Sequence, residues 1–358
     1  MTLKKERCGF SMNKKHFTVS GTRILDPDGN DFLMKGTNVN GPGCFFPRDT
    51  LQDVDLITDV WKFNSVRVVM TLGLTWTRDS NPNLDALVDA FTEKGVVAML
   101  EIHDYCGRYP SEEGYWLTET EEKVWVPSLS EFTDYWIETA KKYKDNPYVW
   151  FNIMNEPKND NKSESVEQWI EAHSHVIKAI REEAGAENII VCDEHGYGQG
   201  YGYKDGPLSN DSAIICKGPA LNTMYENIVY SLHVYTEWED GTERFKEYFK
   251  DAAERNLCVI VGEYGVMTDD PSTHNAVKAL LDVIIPLDIG RMYWGWDDKN
   301  LPTTDRHAGY TGASWDIDRK DVNQKPTNLT WVGSLTWEDN RGSLTVPVPD
   351  YTIEAKDC

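Results

Sequence analysis

The sequence predicts an α/β fold, a (β/α)8 TIM barrel, and three observations carry that expectation. Eight short runs rich in apolar and β-branched residues recur along the chain, stretches of helical periodicity lie between them, and most runs finish in a polar or aromatic residue. Strands buried on both faces read as continuous apolar runs, and their alternation with amphipathic helices is what repeated βα units produce. The 358 residues could make two average domains, but barrels of this kind use about 250 residues or more as one unit. One domain over 1–358 is therefore expected, with a hairpin region at 1–31, the barrel core at 32–300 and an extended, loop-rich segment at 301–358.

The elements follow in order. Phe17–Ile24 and Asn30–Leu33 flank the turn signal Asp26-Pro27-Asp28-Gly29, which predicts a β-hairpin plugging the barrel floor. Strands are predicted at Phe32–Thr37, Ser65–Met70, Val96–Ile102, Tyr148–Met154, Asn188–Asp193, Ile228–Val234, Leu257–Gly262 and Arg291–Trp296. Leu51, Val54, Ile57, Val60 and Trp61 place one apolar stripe on a helix that packs outside the barrel. Further helices are predicted over Leu84–Lys94, Leu129–Tyr143, Val166–Ala184, Thr242–Arg255 and Thr273–Ile285, with Ser165 and Gln168 spaced as a capping box. The last sixty or so residues show little helical periodicity, so the eighth helix is expected to be short or replaced by loop.

A net charge of −23 repels nucleic acid and anionic membranes, so neither is an expected partner. No run approaches the roughly 18 apolar residues of a membrane span. Seven cysteines, at 8, 44, 106, 192, 216, 258 and 358, form no Cys-x-x-Cys pair and suggest disulfides, with Cys44–Cys106 one candidate bridge. Cys192 and Cys258 lie inside strand-like runs and read as inert core residues. Asn161, Asn210 and Asn328 open glycosylation triplets and, with the cysteines, favour a secreted protein, its signal absent from the chain.

In a parallel barrel the C-terminal strand ends form one rim around one pocket. Arg67 lies within strand two, His103 and Asp104 end strand three, and Asn155 with Glu156 ends strand four. His233 and Tyr235 end strand six, Glu263 ends strand seven, and Trp294 and Trp296 end strand eight. Each alone has a plain structural reading: a core ion pair, a hydrogen-bonded core histidine, an aromatic filler. Convergence on one rim is what favours a site.

Cleaving a glycosidic bond needs one carboxylic acid to protonate the departing oxygen and one carboxylate to attack or assist at the anomeric carbon. Glu156 and Glu263 supply that pair. Pro157 biases Glu156 toward extended backbone, and Arg67 or the Tyr235 hydroxyl is placed to keep Glu263 ionised. Trp294 or Trp296 offers a face on which an apolar sugar ring stacks. A metal set from Asp193, Glu194 and His195 is disfavoured because consecutive residues cannot all point inward from one strand, and His173 and His175 do not share a helix face.

The motifs Asn64-Ser-Val-Arg-Val-Val, Leu100-Glu-Ile-His-Asp, Asn152-Ile-Met-Asn-Glu-Pro, Gly196-Tyr-Gly-Gln, Asn222-Thr-Met, Ser231-Leu-His-Val-Tyr, Val261-Gly-Glu-Tyr-Gly and Trp294-Gly-Trp occur in that order over roughly residues 30 to 300. In these the chain resembles glycoside hydrolase family 5, most closely its β-mannanases. The resemblance implies a retaining enzyme with Glu156 as acid/base and Glu263 as nucleophile. It also implies that Asn155 contacts the sugar 2-hydroxyl, and that Arg67, His103, His233, Tyr235 and Trp294 line the cleavage subsite. Tyr197 departs from the Trp common at that place, and Tyr105–Val126 reads as an insertion.

The expectation is thus an endo-1,4-β-mannanase acting on mannan, glucomannan or galactomannan, monomeric, with no metal and no organic cofactor. An endo-1,4-β-glucanase on the same scaffold is the nearest alternative, since mannose and glucose differ at one hydroxyl. A catalytically inactive carbohydrate-binding barrel fits less well, because both carboxylates are present.

Overall fold

Eight parallel strands close into one barrel in the computed structural model, which describes residues 15–42, 50–72, 83–117, 124–158, 163–202, 212–239, 241–266, 271–296 and 329–351. In chain order the strands are β1 (Thr18–Ser20), β2 (Arg23–Leu25), β3 (Lys35–Asn40), β4 (Ser65–Met70), β5 (Val97–Ile102), β6 (Tyr115–Leu117), β7 (Val124–Val126), β8 (Val149–Asn152), β9 (Ile190–Asp193), β10 (Ile228–Val234), β11 (Val259–Tyr264) and β12 (Arg291–Tyr293). The barrel runs β3-β4-β5-β8-β9-β10-β11-β12 and closes by pairing β12 with β3. All eight predicted runs are barrel strands.

The helices are α1 (Leu84–Thr92), α2 (Leu129–Tyr143), α3 (Ser163–Ala179), α4 (Ala213–Met224), α5 (Thr242–Glu254), α6 (Pro271–Ile284) and α7 (Trp331–Asn340). Their starts show why they begin where they do. Asn83 caps α1 by accepting from the Asp85 amide, and Ser128 with Glu131 forms a reciprocal capping box on α2. The box expected at Ser165 and Gln168 is not a helix start, since Ser165 lies inside α3. The helix expected over Leu51–Trp61 forms as one irregular helical stretch over 50–60, tight at Thr50–Asp53 and widened to π geometry at Leu56–Val60. Leu51 points to solvent, while Val54, Ile57, Val60 and Trp61 are buried.

Side-chain alternation divides the barrel into two cores. Outward residues such as Val66, Val68, Leu100, Phe151 and Val261 pack with Phe91, Trp136, Trp169 and Val277 of the helices. Inward residues Val97, Met99, Trp150, Val191, Val229, Ile260 and Met292 fill the lower lumen. Beneath them Phe17 meets Trp150, Tyr148 and Phe32 edge-on, with ring centroids at 5.4, 5.3 and 5.0 Å. The N-terminal segment does plug the floor, but its hairpin turns earlier than expected. β1 and β2 pair antiparallel about Gly21-Thr22, and the Asp26–Asn30 turn then leads to a single further bridge, Leu25 with Asp31. The turn at Gly21-Thr22, not the Asp26–Gly29 signal, carries the ladder.

The eighth βα unit ends in a real helix. Arg291 on β12 holds Asp339 of α7 through two hydrogen bonds, Nε to Oδ2 at 2.6 Å and Nη2 to Oδ1. Asn340 and Arg341 donate to the carbonyls of Trp61 and Val60, closing the ring of helices.

Candidate active site

Above the apolar floor the same inward positions turn polar. Asn38, Arg67, Glu101, Asn152, Asp193, Ser231, His233 and Glu263, one or two from each of seven strands, are all buried. Buried charge is costly unless paired and hydrogen-bonded, and here the pairing is dense. Arg67 spends its five N–H groups on five bonds: Nε to Asn152 at 2.6 Å, Nη1 to Glu263 at 2.6 Å and Asn38 at 3.1 Å, Nη2 to Asn155 at 2.7 Å and Asp193 at 3.0 Å. Burial opposes its charge, but Glu101, Asp193 and Glu263 hold it more firmly protonated than an ordinary arginine.

Glu263 reaches the lumen through a defect in its strand. The register of β10 against β11 slips between Leu232 and His233, so that Leu232 faces Val261 and His233 faces Glu263. Gly262 is the extra residue, and a Cβ there would lie 2.1 Å from the Ser231 hydroxyl, so only glycine fits. Such bulges re-aim side chains, and this one turns Glu263 inward. Arg67 donates to its Oε1 and Tyr235 to its Oε2, at 2.6 and 2.9 Å. Both stabilisers named from the sequence therefore contact it, although burial still raises its carboxyl above the ordinary value against the pull of His233 and Arg67.

Glu156 departs from its expected backbone. Its φ is +43°, left-handed rather than extended, a conformation that costs a non-glycine residue on the order of 1–3 kcal/mol. The turn is held by neighbours instead of by Pro157 alone: the Gly107 amide donates to the Glu156 carbonyl at 2.8 Å, and Cys106 bridges Pro157. Its carboxylate accepts from His233 Nδ1 at 2.9 Å on Oε1 and from the Cys106 thiol at 3.2 Å on Oε2. Its side chain is 14% exposed, against 4% for Glu263, so Glu156 is the more solvent-accessible of the two carboxylates.

The remaining predicted residues divide. His103 stands between Glu101 and Asn155, with Nδ1 3.3 Å from the carboxylate and Nε2 3.3 Å from the Asn155 amide nitrogen, and its ring lies nearly parallel to Trp294 at 5.9 Å. Burial disfavours its charge, but Glu101 raises its pKa above the ordinary histidine value. His233 is pushed further: burial is outweighed by Glu263 and Asp193, and its pKa is held up to about 10. Arg67, His103, Asn155, His233, Tyr235 and Trp294 thus gather around the two glutamates. Trp296 does not. Its indole donates to Asp53 at 2.9 Å and meets Trp61 and Phe63 edge-on outside the barrel wall, because β12 ends at Tyr293 and strand alternation does not carry beyond it.

Sequence reasoning missed Asn38, Glu101 and Asn152, and weighed Cys106 only as a disulfide partner and Asp193 only as a metal ligand. Asp193 instead accepts from Asn152 at 2.8 Å, pairs with His233 at 3.3 Å, and is held well below the usual carboxylate range by His233 and Arg67 despite burial. The available signal was a polar residue at an inward position of an otherwise apolar parallel strand. Glu194 and His195 leave the lumen, Glu194 accepting from the Ala213 amide at the start of α4. Glu156, His233 and Glu263 present atoms within 4.8 Å of one another, close enough for a cation. Both nitrogens of the His233 imidazole are already engaged, Nδ1 with Glu156 at 2.9 Å and Nε2 with Asp193 at 3.3 Å.

The cysteines do not support the disulfide expectation. Among the described residues Cys106, Cys192 and Cys258 are free thiols, and Cys106 is engaged with Glu156. Cys44, Cys8 and Cys358 lie outside the described residues, as do Asn161, Asn210 and Asn328. Cys192 and Cys258 are buried, as expected of core residues, and burial pushes the Cys258 thiol up to about 12.

Comparison with known proteins agrees with this geometry. A mannan endo-1,4-beta-mannosidase of Cellvibrio japonicus is 28% identical over 301 residues, covering 83% of this chain and 63% of the relative. One of Streptomyces lividans is 27% identical over 281 residues, covering 78% and 65%. The chain therefore spans less than two thirds of the length of these curated relatives. Among solved structures, the beta-mannanase from Thermomonospora fusca superposes with a TM-score of 0.68 at 21% identity, covering 94% of this chain and 98% of that one, which bears on the fold alone. The description "Cellulase (glycosyl hydrolase family 5)" matches residues 25–300, the span that holds every barrel strand and both glutamates, and the chain belongs to that family.

Proposed function

We propose that this protein is an endo-1,4-β-mannanase that cleaves mannan, glucomannan or galactomannan with retention of configuration. One observation carries the reading: Glu156 and Glu263 each bring a carboxylate oxygen to within 4.8 Å of the other at the same end of the barrel. Retaining glycosidases need about 5–5.5 Å between carboxyl groups for direct attack, whereas inverting ones need about 6.5–9.5 Å to admit water. Glu263, deep and braced by Arg67 and Tyr235, attacks the anomeric carbon. Glu156, the more accessible of the two, gives its proton to the leaving oxygen and then takes one from the water that hydrolyses the glycosyl ester. Trp294 beside His103 offers the ring face for the sugar, and Asn155, oriented by Arg67 and His103, has an amide hydrogen to spare for a hydroxyl. A polymeric substrate that cannot enter a cell supports secretion.

Mannan preference over cellulose rests on the names of the relatives, so it is tested directly. Reducing-sugar release from locust bean gum should exceed that from carboxymethylcellulose, and the reverse result would move the assignment to an endoglucanase. Proton NMR of the first product from mannohexaose should show the β-anomer, and Glu263→Ala should abolish turnover; an active Glu263→Ala variant removes the nucleophile assignment.

A further inference from the structure

The Cys106 thiol sits where no role in the reaction has yet been given to it. Its Sγ lies 3.2 Å from Glu156 Oε2, while His233 occupies Oε1 at 2.9 Å, so two donors, one on each oxygen, fix the plane of the carboxyl group. The main chain sets this approach. Cys106 and Pro157 form an antiparallel bridge, Gly107 donates to the Glu156 carbonyl at 2.8 Å, and the Cys106 amide returns to the His103 carbonyl at 3.3 Å. The Cys106 backbone therefore cannot move away from Glu156 without the loop after β5 parting from the loop after β8, and only a change of side-chain rotamer would take the thiol off Oε2.

We propose that Cys106 is a positioning residue for Glu156, orienting its carboxyl group through a weak thiol hydrogen bond that leaves the group able to give up and retake a proton. This rests on the reading of Glu156 as acid/base.

The chemistry of sulfur makes the choice of residue meaningful. A thiol is a weak donor and a weak acceptor, so it stabilises a carboxylate less than a hydroxyl does and can turn to accept when the carboxyl carries the proton. Arginine in its place would only donate and would hold Glu156 ionised. The thiol itself remains protonated, because burial, then Glu156 and Glu263, push it well above its ordinary range. The other groups facing Glu156 are His233 on β10, Asp193 on β9 against its amide at 3.4 Å, Glu263 on β11 and Arg67 on β4, with Arg108 beside the thiol. Of these only His233 also contacts a Glu156 carboxylate oxygen at hydrogen-bonding distance. In the acid step Glu156 O–H breaks and the glycosidic oxygen gains that proton as its bond to the anomeric carbon opens and Glu263 bonds to that carbon, and the S–H then faces the carboxylate; in the second step water oxygen replaces Glu263 at the anomeric carbon and the proton that water gives up restores Glu156.

The test compares wild type, Cys106→Ser and Cys106→Ala on two substrates, mannohexaose and a dinitrophenyl β-mannotrioside, whose leaving group needs no proton. A hydroxyl donates more strongly and should move the alkaline limb of kcat/KM on mannohexaose to lower pH by about half a unit or more, while Ala, lacking the donor, moves it to higher pH. Both variants should lose about fivefold or more in kcat/KM on mannohexaose relative to the aryl glycoside, since kcat/KM reports formation of the glycosyl ester, where only the sugar leaving group needs the acid, and not the later hydrolysis that both substrates share. Melting temperatures identify any variant whose loss is one of folding, in which case the limb position of the other decides. An unmoved limb in both variants, or equal losses on both substrates, overturns the proposal. Glu156→Ala is run alongside: a far larger loss on mannohexaose than on the aryl glycoside upholds the acid/base reading, so failure of the Cys106 variants then falls on the thiol alone. Equal losses in Glu156→Ala sink both.

Discussion

Tyr235 donates to Glu263 Oε2 at 2.9 Å, on the oxygen that Arg67 leaves free. A hydrogen bond to a charged group contributes about 1.5–3 kcal/mol, and each 1.4 kcal/mol or so is tenfold in rate. Tyr235→Phe keeps the ring and removes only this donor. It should lower kcat/KM about 10- to 100-fold, together with a fall in melting temperature of a few degrees from the lost buried bond. Because burial already raises the Glu263 carboxyl, loss of the donor should also move the acid limb of the pH–rate profile upward. A variant with wild-type kinetics at every pH would mean the Tyr235 bond does not act on the nucleophile.

The barrel was legible because parallel strands are buried on both faces and leave continuous apolar runs; Val66, Val68, Leu100 and Val261 have nowhere polar to point. Both glutamates were legible because they end such runs. α4 was not, since Pro219 and Gly218 interrupt it and Ala213, Ile214, Ile215 and Leu221 give no single apolar stripe. The polar layer under the glutamates was hidden for the opposite reason. Glu101 and Asp193 look like surface residues by type, and only the register that turns them inward shows them as partners of Arg67, His103 and His233. The backbone of Glu156 was misjudged because Pro157 is a local signal, while the contacts that set its φ come from Gly107 and Cys106, about fifty residues away.

His233 makes stability depend on pH in a stated direction. Its folded-state pKa of about 10 lies above the 6.5 of the unfolded chain, so the stabilisation it brings is complete below pH 6.5 and is lost as pH rises toward 10. Across that window the folded state holds one proton more than the unfolded state, which gives a slope on the order of −1.4 kcal/mol per pH unit from this group. Asp193 acts in the other sense: its depressed value brings stability present above 3.8 and lost as pH falls. Urea midpoints should therefore be highest between about pH 4 and 6.5. His233→Asn should flatten the alkaline decline, and an unchanged slope in that variant would place the titration elsewhere.

Trp294 and Trp296 stand two residues apart and separate substrate binding from packing. Trp296 is fully enclosed by Trp61, Phe63 and its bond to Asp53, so Trp296→Ala leaves a cavity and removes the indole donor from Asp53. Deleting a large buried aromatic costs about 3–5 kcal/mol, which should appear as a large fall in melting temperature with KM unchanged in the folded fraction. Trp294 shares the lumen with His103 and keeps 6% of its surface exposed to the cleft. Trp294→Ala should raise KM and lower kcat on mannohexaose together, about tenfold or more in kcat/KM, because the ring that positions the sugar against Glu263 is gone. If the two variants exchanged these effects, the stacking surface would belong to Trp296 and the side assigned to each indole would be reversed.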